Sequence, residues 1–138
     1  MTVVDNRLAA GTGERVTAPH SRLTSGPMSE WTAVCDAARL IPDRGVAALV
    51  AGRAVAVFLL ATGELHAIDN FDPCSGASVL SRGIVGDAGG VRTVASPMYK
   101  QRFDLHTGRC LDDDAKAVAV HDIRLKGGII QVRVEPPE

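Results

Sequence analysis

From residue 31 onward, short apolar runs alternate with turn residues along the chain. The runs are bounded by glycine, proline and polar residues and do not follow the 3.6-residue period of a helix, which is typical of β-strands. The pattern predicts strands over residues 31–34, 46–51, 54–61, 64–70, 91–95, 102–105, 118–124 and 129–134. The expected architecture is therefore all-β, with successive strands joined as a meander of hairpins.

Three details refine this prediction. Residues 54–60 are nearly all apolar, which favours a strand covered on both faces over a helix, because glycines flank the run. Residues 36–40 are compatible with one helical turn, which Pro42 would end. Gly127-Gly128 predicts a tight hairpin turn, since glycine takes the positive φ angles that such turns require.

The first part of the chain has a different composition. Residues 1–29 are rich in Gly, Thr, Ser and Pro and show no sustained hydrophobic period. Such a segment buries too little apolar surface to offset the entropy of ordering it. We therefore expect a flexible N-terminal arm over residues 1–29 and one domain over residues 30–138.

Composition narrows the class of protein. With 138 residues and a formal net charge of −1, the chain has the length of one domain and lacks the basic balance of a nucleic-acid binder. Cys35, Cys74 and Cys110 are spaced like neither a zinc site nor a disulfide framework, which indicates reduced thiols. The chain has no apolar run long enough for a membrane span and no secretory signal, so a cytoplasmic location is expected.

Isolated polar residues offer few candidates for chemistry. Cys74 could pair with one of the histidines as a nucleophile and base, but a structural thiol is the favoured interpretation because no cation lies next to it in sequence. The acidic run 112–114 lacks the spacing of a calcium loop and predicts a solvated turn. The glycine-rich segment 86–90 lacks a following helix, so a hairpin or loop turn is favoured over a phosphate site. Asp72 and Asp87 are interpreted as surface aspartates in turns.

Two proline-containing segments resemble the cluster-binding loops of Rieske iron–sulfur domains. Rieske ferredoxins supply ligands as Cys-x-His in one loop and Cys-x-x-His in the second, because that cluster needs two thiolates and two imidazoles. Ser96 stands where the second Cys is expected and Tyr99 where the second His is expected, and around Cys74 no Cys is followed two places later by His. The resemblance implies a Rieske-like antiparallel β-sandwich or barrel that binds no cluster. The vestigial loop positions would be Pro73, Cys74, Ser75, Ser96 and Tyr99.

Four blocks carry a more specific resemblance. Residues 69–73, 81–87, 95–101 and 103–111, in this order, are similar to the small subunit of the assimilatory NAD(P)H-dependent nitrite reductase, over about residues 31–134. The resemblance implies a cytoplasmic oxidoreductase that reduces nitrite to ammonium in nitrate assimilation. It places FAD, a [4Fe–4S] cluster and sirohaem on a large partner subunit, with no cofactor, metal or catalytic residue on this chain. Cys74, where an aromatic residue is common, and the long arm depart from the family pattern.

The two loops are then candidates for partner contact. Arg82, Lys100 and Arg102 would make the region basic, while Met98 and Tyr99 would supply adaptable apolar contact. Docking on a large subunit and ordinary loop side chains are weighed as equal alternatives. A second class of function also stays open, namely a free-standing Rieske-derived binding module or a ferredoxin-like electron carrier.

Overall fold

The structure, a computed structural model, describes residues 30–134, and the predicted N-terminal arm lies outside this range. It is built from β-strands and two short 3₁₀ turns, Ala37–Arg39 and Leu80–Arg82. The strands are β1 (Thr32–Asp36), β2 (Gly45–Val50), β3 (Arg53–Leu59), β4 (Leu65–Asp69), β5 (Phe71–Asp72), β6 (Ala77–Ser78), β7 (Ile84–Ala88), β8 (Val91–Ala95), β9 (Arg102–Asp104), β10 (Val120–Lys126) and β11 (Ile129–Arg133).

One antiparallel sheet of six strands forms the body of the molecule. Its order is β1-β11-β10-β4-β3-β2, and its two edge strands approach each other so that the sheet is nearly closed into a barrel. Strands β2, β3 and β4 form the predicted meander, and β10 and β11 form the hairpin predicted at Gly127-Gly128, where both φ angles are positive. The all-β prediction is confirmed.

The chain between β4 and β10 forms a second, smaller layer. It contains the two-stranded pair β5-β6 and the three-stranded antiparallel sheet β7-β8-β9. The segment leaves the main sheet at the end of β4 and returns to it at the start of β10, which pairs with β4. Every position that resembles a Rieske ligand position lies in this inserted segment.

Strand β3 is buried on both faces, as its continuous apolar sequence predicts. Val55 and Val57 contribute to a core inside the curved main sheet, together with residues from β1, β2, β4 and β11. Ala56 and Phe58 contribute to a second core, which lies between the main sheet and the inserted segment. The second core includes Val94, Phe103 and Leu105 from the smaller layer, so the inserted segment is anchored by apolar packing.

Two elements differ from the sequence prediction. The segment 86–90 contains the predicted hairpin turn, at Gly89-Gly90 between β7 and β8, but residues 86–88 also continue strand β7, which the sequence pattern did not predict. Strand β7 was not recognisable in the sequence because Gly86 and Asp87 are poor strand formers. The pair β5-β6 was also missed, since two-residue strands leave no detectable hydrophobic period.

None of the helices in the described range is long and apolar enough to cross a membrane.

Candidate functional site

Two loops of the inserted segment have the same local structure. Loop 1 spans residues 72–76, between β5 and β6, and loop 2 spans residues 96–100, between β8 and β9. In each loop the amide of the fifth residue donates to the carbonyl of the first, from Gly76 to Asp72 at 2.8 Å and from Lys100 to Ser96 at 2.9 Å. In each loop the second residue is proline and the fifth has a left-handed backbone, with φ of 79° at Gly76 and 65° at Lys100.

The first side chain of each loop also plays the same part. Asp72 Oδ1 accepts a hydrogen bond from the Cys74 amide at 2.9 Å, and Ser96 Oγ accepts one from the Met98 amide at 3.2 Å. Both are side-chain turns of the kind that aspartate and serine favour, because a short polar side chain satisfies the amide two residues on. The two loops are therefore self-similar turns that begin at Asp72 and at Ser96.

These two first residues meet in the interior. Asp72 and Ser96 are both 0% exposed, and Ser96 Oγ donates to Asp72 Oδ2 at 2.5 Å. The same carboxylate oxygen accepts from Ser75 Oγ at 2.9 Å. Burial opposes ionisation of Asp72, but the hydrogen bonds from Ser96, the Cys74 amide and Ser75 outweigh it and hold the pKa of this carboxyl below its usual range.

The interpretation of Asp72 as a surface aspartate is wrong, since its side chain is buried and joins the two loops. The sequence contained a signal for this position. Asp72 and Cys74 have the spacing of Cys-x-His, just as Ser96 and Tyr99 have the spacing of Cys-x-x-His. Asp72 and Ser96 thus occupy the two positions that thiolates would hold, and Cys74 and Tyr99 the two that imidazoles would hold. Pro73 and Ser75 lie half-buried in loop 1.

The outer side of loop 2 is exposed. Met98 is 52% exposed and Tyr99 is 61% exposed, and Lys100 is exposed beside them. Arg82 is exposed, and the residue after it, Gly83, packs at the base of this loop, where an added Cβ would lie 2.4 Å from the Ala95 carbonyl oxygen.

Arg102, two residues after Lys100, forms an ion pair with Asp112. Its Nε and Nη2 donate to the two carboxylate oxygens of Asp112, at 3.1 and 2.8 Å. The hydrogen bonds from Arg102 lower the pKa of Asp112 to about 2. Lys100 and Arg82 are therefore better suited than Arg102 to meet an acidic partner. The acidic run forms the predicted exposed turn, in which Asp113 Oδ1 accepts from the Ala115 amide.

The described cysteines and histidines form no nucleophile–base pair. His66 Nε2 lies 3.0 Å from Glu64, His121 Nε2 lies 2.8 Å from Asp69, and His106 is exposed in its turn. Burial raises the pKa of the Cys74 thiol, and the negative charge of Asp72 raises it further. This disfavours the thiolate, which is the reactive form of cysteine.

Comparison with known proteins identifies the family. Residues 30–133 match the model of the Rieske-like [2Fe-2S] domain. The nitrite reductase (NADH) small subunit of Salmonella typhimurium is 42% identical over 107 residues, which are 77% of this chain and 99% of that protein. The chain belongs to the nitrite reductase small-subunit family. Both resemblances expected from the sequence, to Rieske domains and to these subunits, are confirmed.

Two further comparisons extend this result. A Mycobacterium tuberculosis protein assigned as an NADH-dependent nitrite reductase small subunit has a crystal structure that matches with a TM-score of 0.76 and 48% identity, over 79% of this chain and 98% of that chain. The NAD(P)H nitrite reductase large subunit of Klebsiella oxytoca contains a segment that is 39% identical over 106 residues. That segment covers 77% of this chain and 11% of the Klebsiella protein.

The family model is named for a [2Fe–2S] cluster, and the side chains at the ligand positions do not fit one. They are a carboxylate, a thiol, a hydroxyl and a phenol, from Asp72, Cys74, Ser96 and Tyr99, in place of two thiolates and two imidazoles. The carboxylate and the hydroxyl are bonded to each other. Within residues 30–134, no three His, Cys, Asp or Glu side chains are grouped so as to hold a metal ion.

Proposed function

We propose that this chain is the small subunit of a cytoplasmic NAD(P)H-dependent nitrite reductase and acts by assembling with a large subunit. The observation that carries the proposal is the 42% identity to the Salmonella small subunit, which extends over 99% of that protein. A similarity of this extent includes the inserted segment and its loops as well as the scaffold.

The Klebsiella protein supports the partnership. A domain similar to this chain is there part of the same polypeptide as the rest of a large subunit. Domains joined covalently in one protein are held at high effective concentration, so a separate chain of the same family must reach its partner by binding. We therefore infer a stable contact between this chain and a large subunit.

The cofactors belong to the large subunit in this proposal. FAD, a [4Fe–4S] cluster and sirohaem would lie there, and this chain would supply no catalytic residue. The side chains at the Rieske positions support this division, because they are not the ligands of a two-iron cluster. Nitrite consumption with NADH or NADPH should therefore require the large subunit, and this chain alone should show none. Iron and sulfide bound by the purified chain would instead favour an electron carrier.

The proposed contact surface is the outer side of loop 2 with the neighbouring Arg82. Met98 and Tyr99 are large exposed side chains on a loop that is anchored at its base, and such residues are enriched at interfaces. Lys100 and Arg82 add positive charge, which would direct the approach of an acidic surface on the partner.

The first prediction tests this surface. We expect the double variant Tyr99→Ala/Lys100→Glu to weaken association with the large subunit by about 1–2 kcal/mol, because an interface anchor is truncated and a charge reversed. Titration of the large subunit by calorimetry, and nitrite consumption at limiting small subunit, would measure the loss. Circular dichroism and thermal unfolding should show an intact fold.

The double variant Leu125→Ala/Lys126→Glu is a matched control. It also truncates an exposed apolar residue and reverses the charge of an adjacent lysine. These two residues are the last of β10, at the opposite end of the strand from the residues that pair with β4. If both variants bind with wild-type affinity, the loops are not the docking face. If the Tyr99→Ala/Lys100→Glu variant then changed the turnover of the large subunit at saturating concentrations of small subunit, the loops would act on the assembled enzyme and not on its assembly.

A further inference from the structure

The bond between Asp72 and Ser96 joins two separate parts of the inserted segment. The two residues are 24 positions apart, and their loops belong to different sheets, the β5-β6 pair and the β7-β8-β9 sheet. Among the described residues it is the side-chain hydrogen bond that connects loop 1 to loop 2. The other hydrogen bonds of the loop side chains stay within residues 72–77 or within loop 2. Orientation of loop 2 relative to loop 1 therefore depends on it.

The chemistry of the bond makes it strong. A hydroxyl that donates to an ionised carboxylate forms a shorter and stronger hydrogen bond than a neutral pair does. Both partners are buried, so water does not compete for either group, and the loss of the Ser96 hydroxyl would remove from the buried carboxylate a bond that water does not replace. The exposed residues Met98, Tyr99 and Lys100 follow directly after Ser96 and depend on its position.

We propose that Asp72 is a positioning residue, which through Ser96 holds loop 2 against loop 1 and thereby fixes the surface of Met98, Tyr99 and Lys100 that meets the large subunit. In the Rieske arrangement these two positions would be joined through a metal centre. Here a hydrogen bond between side chains joins them directly. The inference rests on the proposed function, because it assigns these residues a role in that assembly.

The chain offers a closely matched pair of variants. Ser96→Ala and Ser75→Ala each remove one hydroxyl that donates to Asp72 Oδ2. Each hydroxyl also accepts from the amide two residues on, at Met98 and at Ala77 respectively. The two variants therefore lose the same kinds of bond, but only Ser96→Ala cuts the connection between the loops.

Amide hydrogen exchange in the full chain measures the effect of the Asp72–Ser96 bond on the two loops, and it does not require the large subunit. The reporters are the Gly76 and Lys100 amides, whose acceptors are backbone carbonyls and so survive both substitutions. In Ser96→Ala we expect exchange at both amides to become at least about tenfold faster, which is the lower end of what a lost hydrogen bond to a charged group produces. In Ser75→Ala the Lys100 amide should exchange as in the wild type. Unchanged exchange at both amides in Ser96→Ala would overturn the proposal.

Binding to the large subunit completes the test. We expect Ser96→Ala to weaken association at least about fivefold and Ser75→Ala to leave it unchanged. If loop 2 exchanges faster in Ser96→Ala but binding is not weakened, Asp72 does not position the docking surface. The Tyr99→Ala/Lys100→Glu variant separates the two possible failures. If it weakens binding and Ser96→Ala does not, the docking surface stands and only the positioning role fails. If Ser96→Ala and Tyr99→Ala/Lys100→Glu both bind as the wild type does, the docking surface itself is rejected.

Discussion

At the scale of single residues, the two self-similar loops differ at their fifth position in a way that bears on stability. Gly76 and Lys100 both have a left-handed backbone, which glycine adopts freely and lysine does not. The left-handed conformation costs a residue with a Cβ roughly 1–2 kcal/mol. Residues held in such conformations concentrate at functional sites. Lys100 therefore carries a cost in stability that a glycine would not, which supports a role for its charge.

The second prediction follows from this comparison. Lys100→Gly should raise the free energy of unfolding by about 0.5–1 kcal/mol, because relief of the strained backbone exceeds the extra entropy that glycine loses on folding. The same variant should bind the large subunit less tightly, since a cation of the proposed contact surface is gone. Denaturant unfolding and calorimetric titration measure the two effects.

Loop 1 provides the control for this variant. A Cβ added at Gly76 would contact nothing within 4 Å, so Gly76→Ala should lower stability by about 1 kcal/mol through backbone strain alone. A Lys100→Gly chain less stable than the wild type would mean that the lysine side chain stabilises loop 2 by more than its backbone conformation costs.

The site was predictable from sequence only in part, and Asp72 shows why. Ser96 and Tyr99 were identifiable because Ser-Pro-Met-Tyr keeps the spacing of one ligand motif. Asp72 precedes a proline, where an aspartate is ordinary in any turn. What buries it is the approach of a loop 24 residues further along the chain, which no local pattern encodes.

At the scale of the elements, one ion cluster ties three strands of the main sheet together. Arg53 of β3 donates through Nε and Nη2 to both carboxylate oxygens of Asp69 in β4, at 2.8 and 3.0 Å. His121 of β10 lies 2.8 Å from the same carboxylate. Asp69 ends the strand from which the inserted segment departs, so this cluster fixes the base on which loop 1 is built.

The third prediction concerns this cluster in acid. Burial disfavours ionised Asp69, but the hydrogen bonds from His121 and Arg53 outweigh it and lower its pKa from 3.8 to about 2. A carboxyl whose pKa is lower in the folded state adds stability above its ordinary pKa and loses that contribution as pH falls towards the folded value. Asp69→Asn should therefore cost about 2 kcal/mol at pH 7 and lose less stability than the wild type between about pH 4 and pH 2.

Asp112→Asn is the control for the acid titration. Its pKa is also about 2, owing to Arg102, but the pair lies at the surface, where solvent screens an ion pair. Urea unfolding across the pH range should show a much smaller effect for this variant. Equal losses for the two variants would contradict a special role for the half-buried cluster around Asp69.

The strands themselves follow from sequence where burial imposes a period. Strand β3 was predictable with both faces covered, because residues 54–59 are all apolar and those from Val55 to Leu59 alternate between the two cores. Strand β7 was not predictable, since its outer face is solvated and Gly86 and Asp87 interrupt the pattern. Its place is set by pairing with β8, which is a contact between strands rather than a property of either sequence.

At the scale of the whole molecule, the supporting sheet and the two loops belong to different layers of the fold. The main sheet supplies a nearly closed, largely apolar support, and the inserted segment carries both loops on the far side of the second core. The positions that correspond to the Rieske ligands therefore all lie outside the main sheet. The same scaffold is compatible with a subunit whose loops serve contact in place of electron transfer.

The fourth prediction concerns the residues before this fold. The family match begins at residue 30, and the Salmonella subunit is matched over 99% of its length by 77% of this chain. Residues 1–29 are thus extra to the part that the relatives share. A variant comprising residues 30–138 should unfold at the temperature of the full chain and restore nitrite consumption to the large subunit equally well. A lower unfolding temperature would show that the first 29 residues pack on the domain, and weaker binding with unchanged unfolding would place them at the interface with the large subunit.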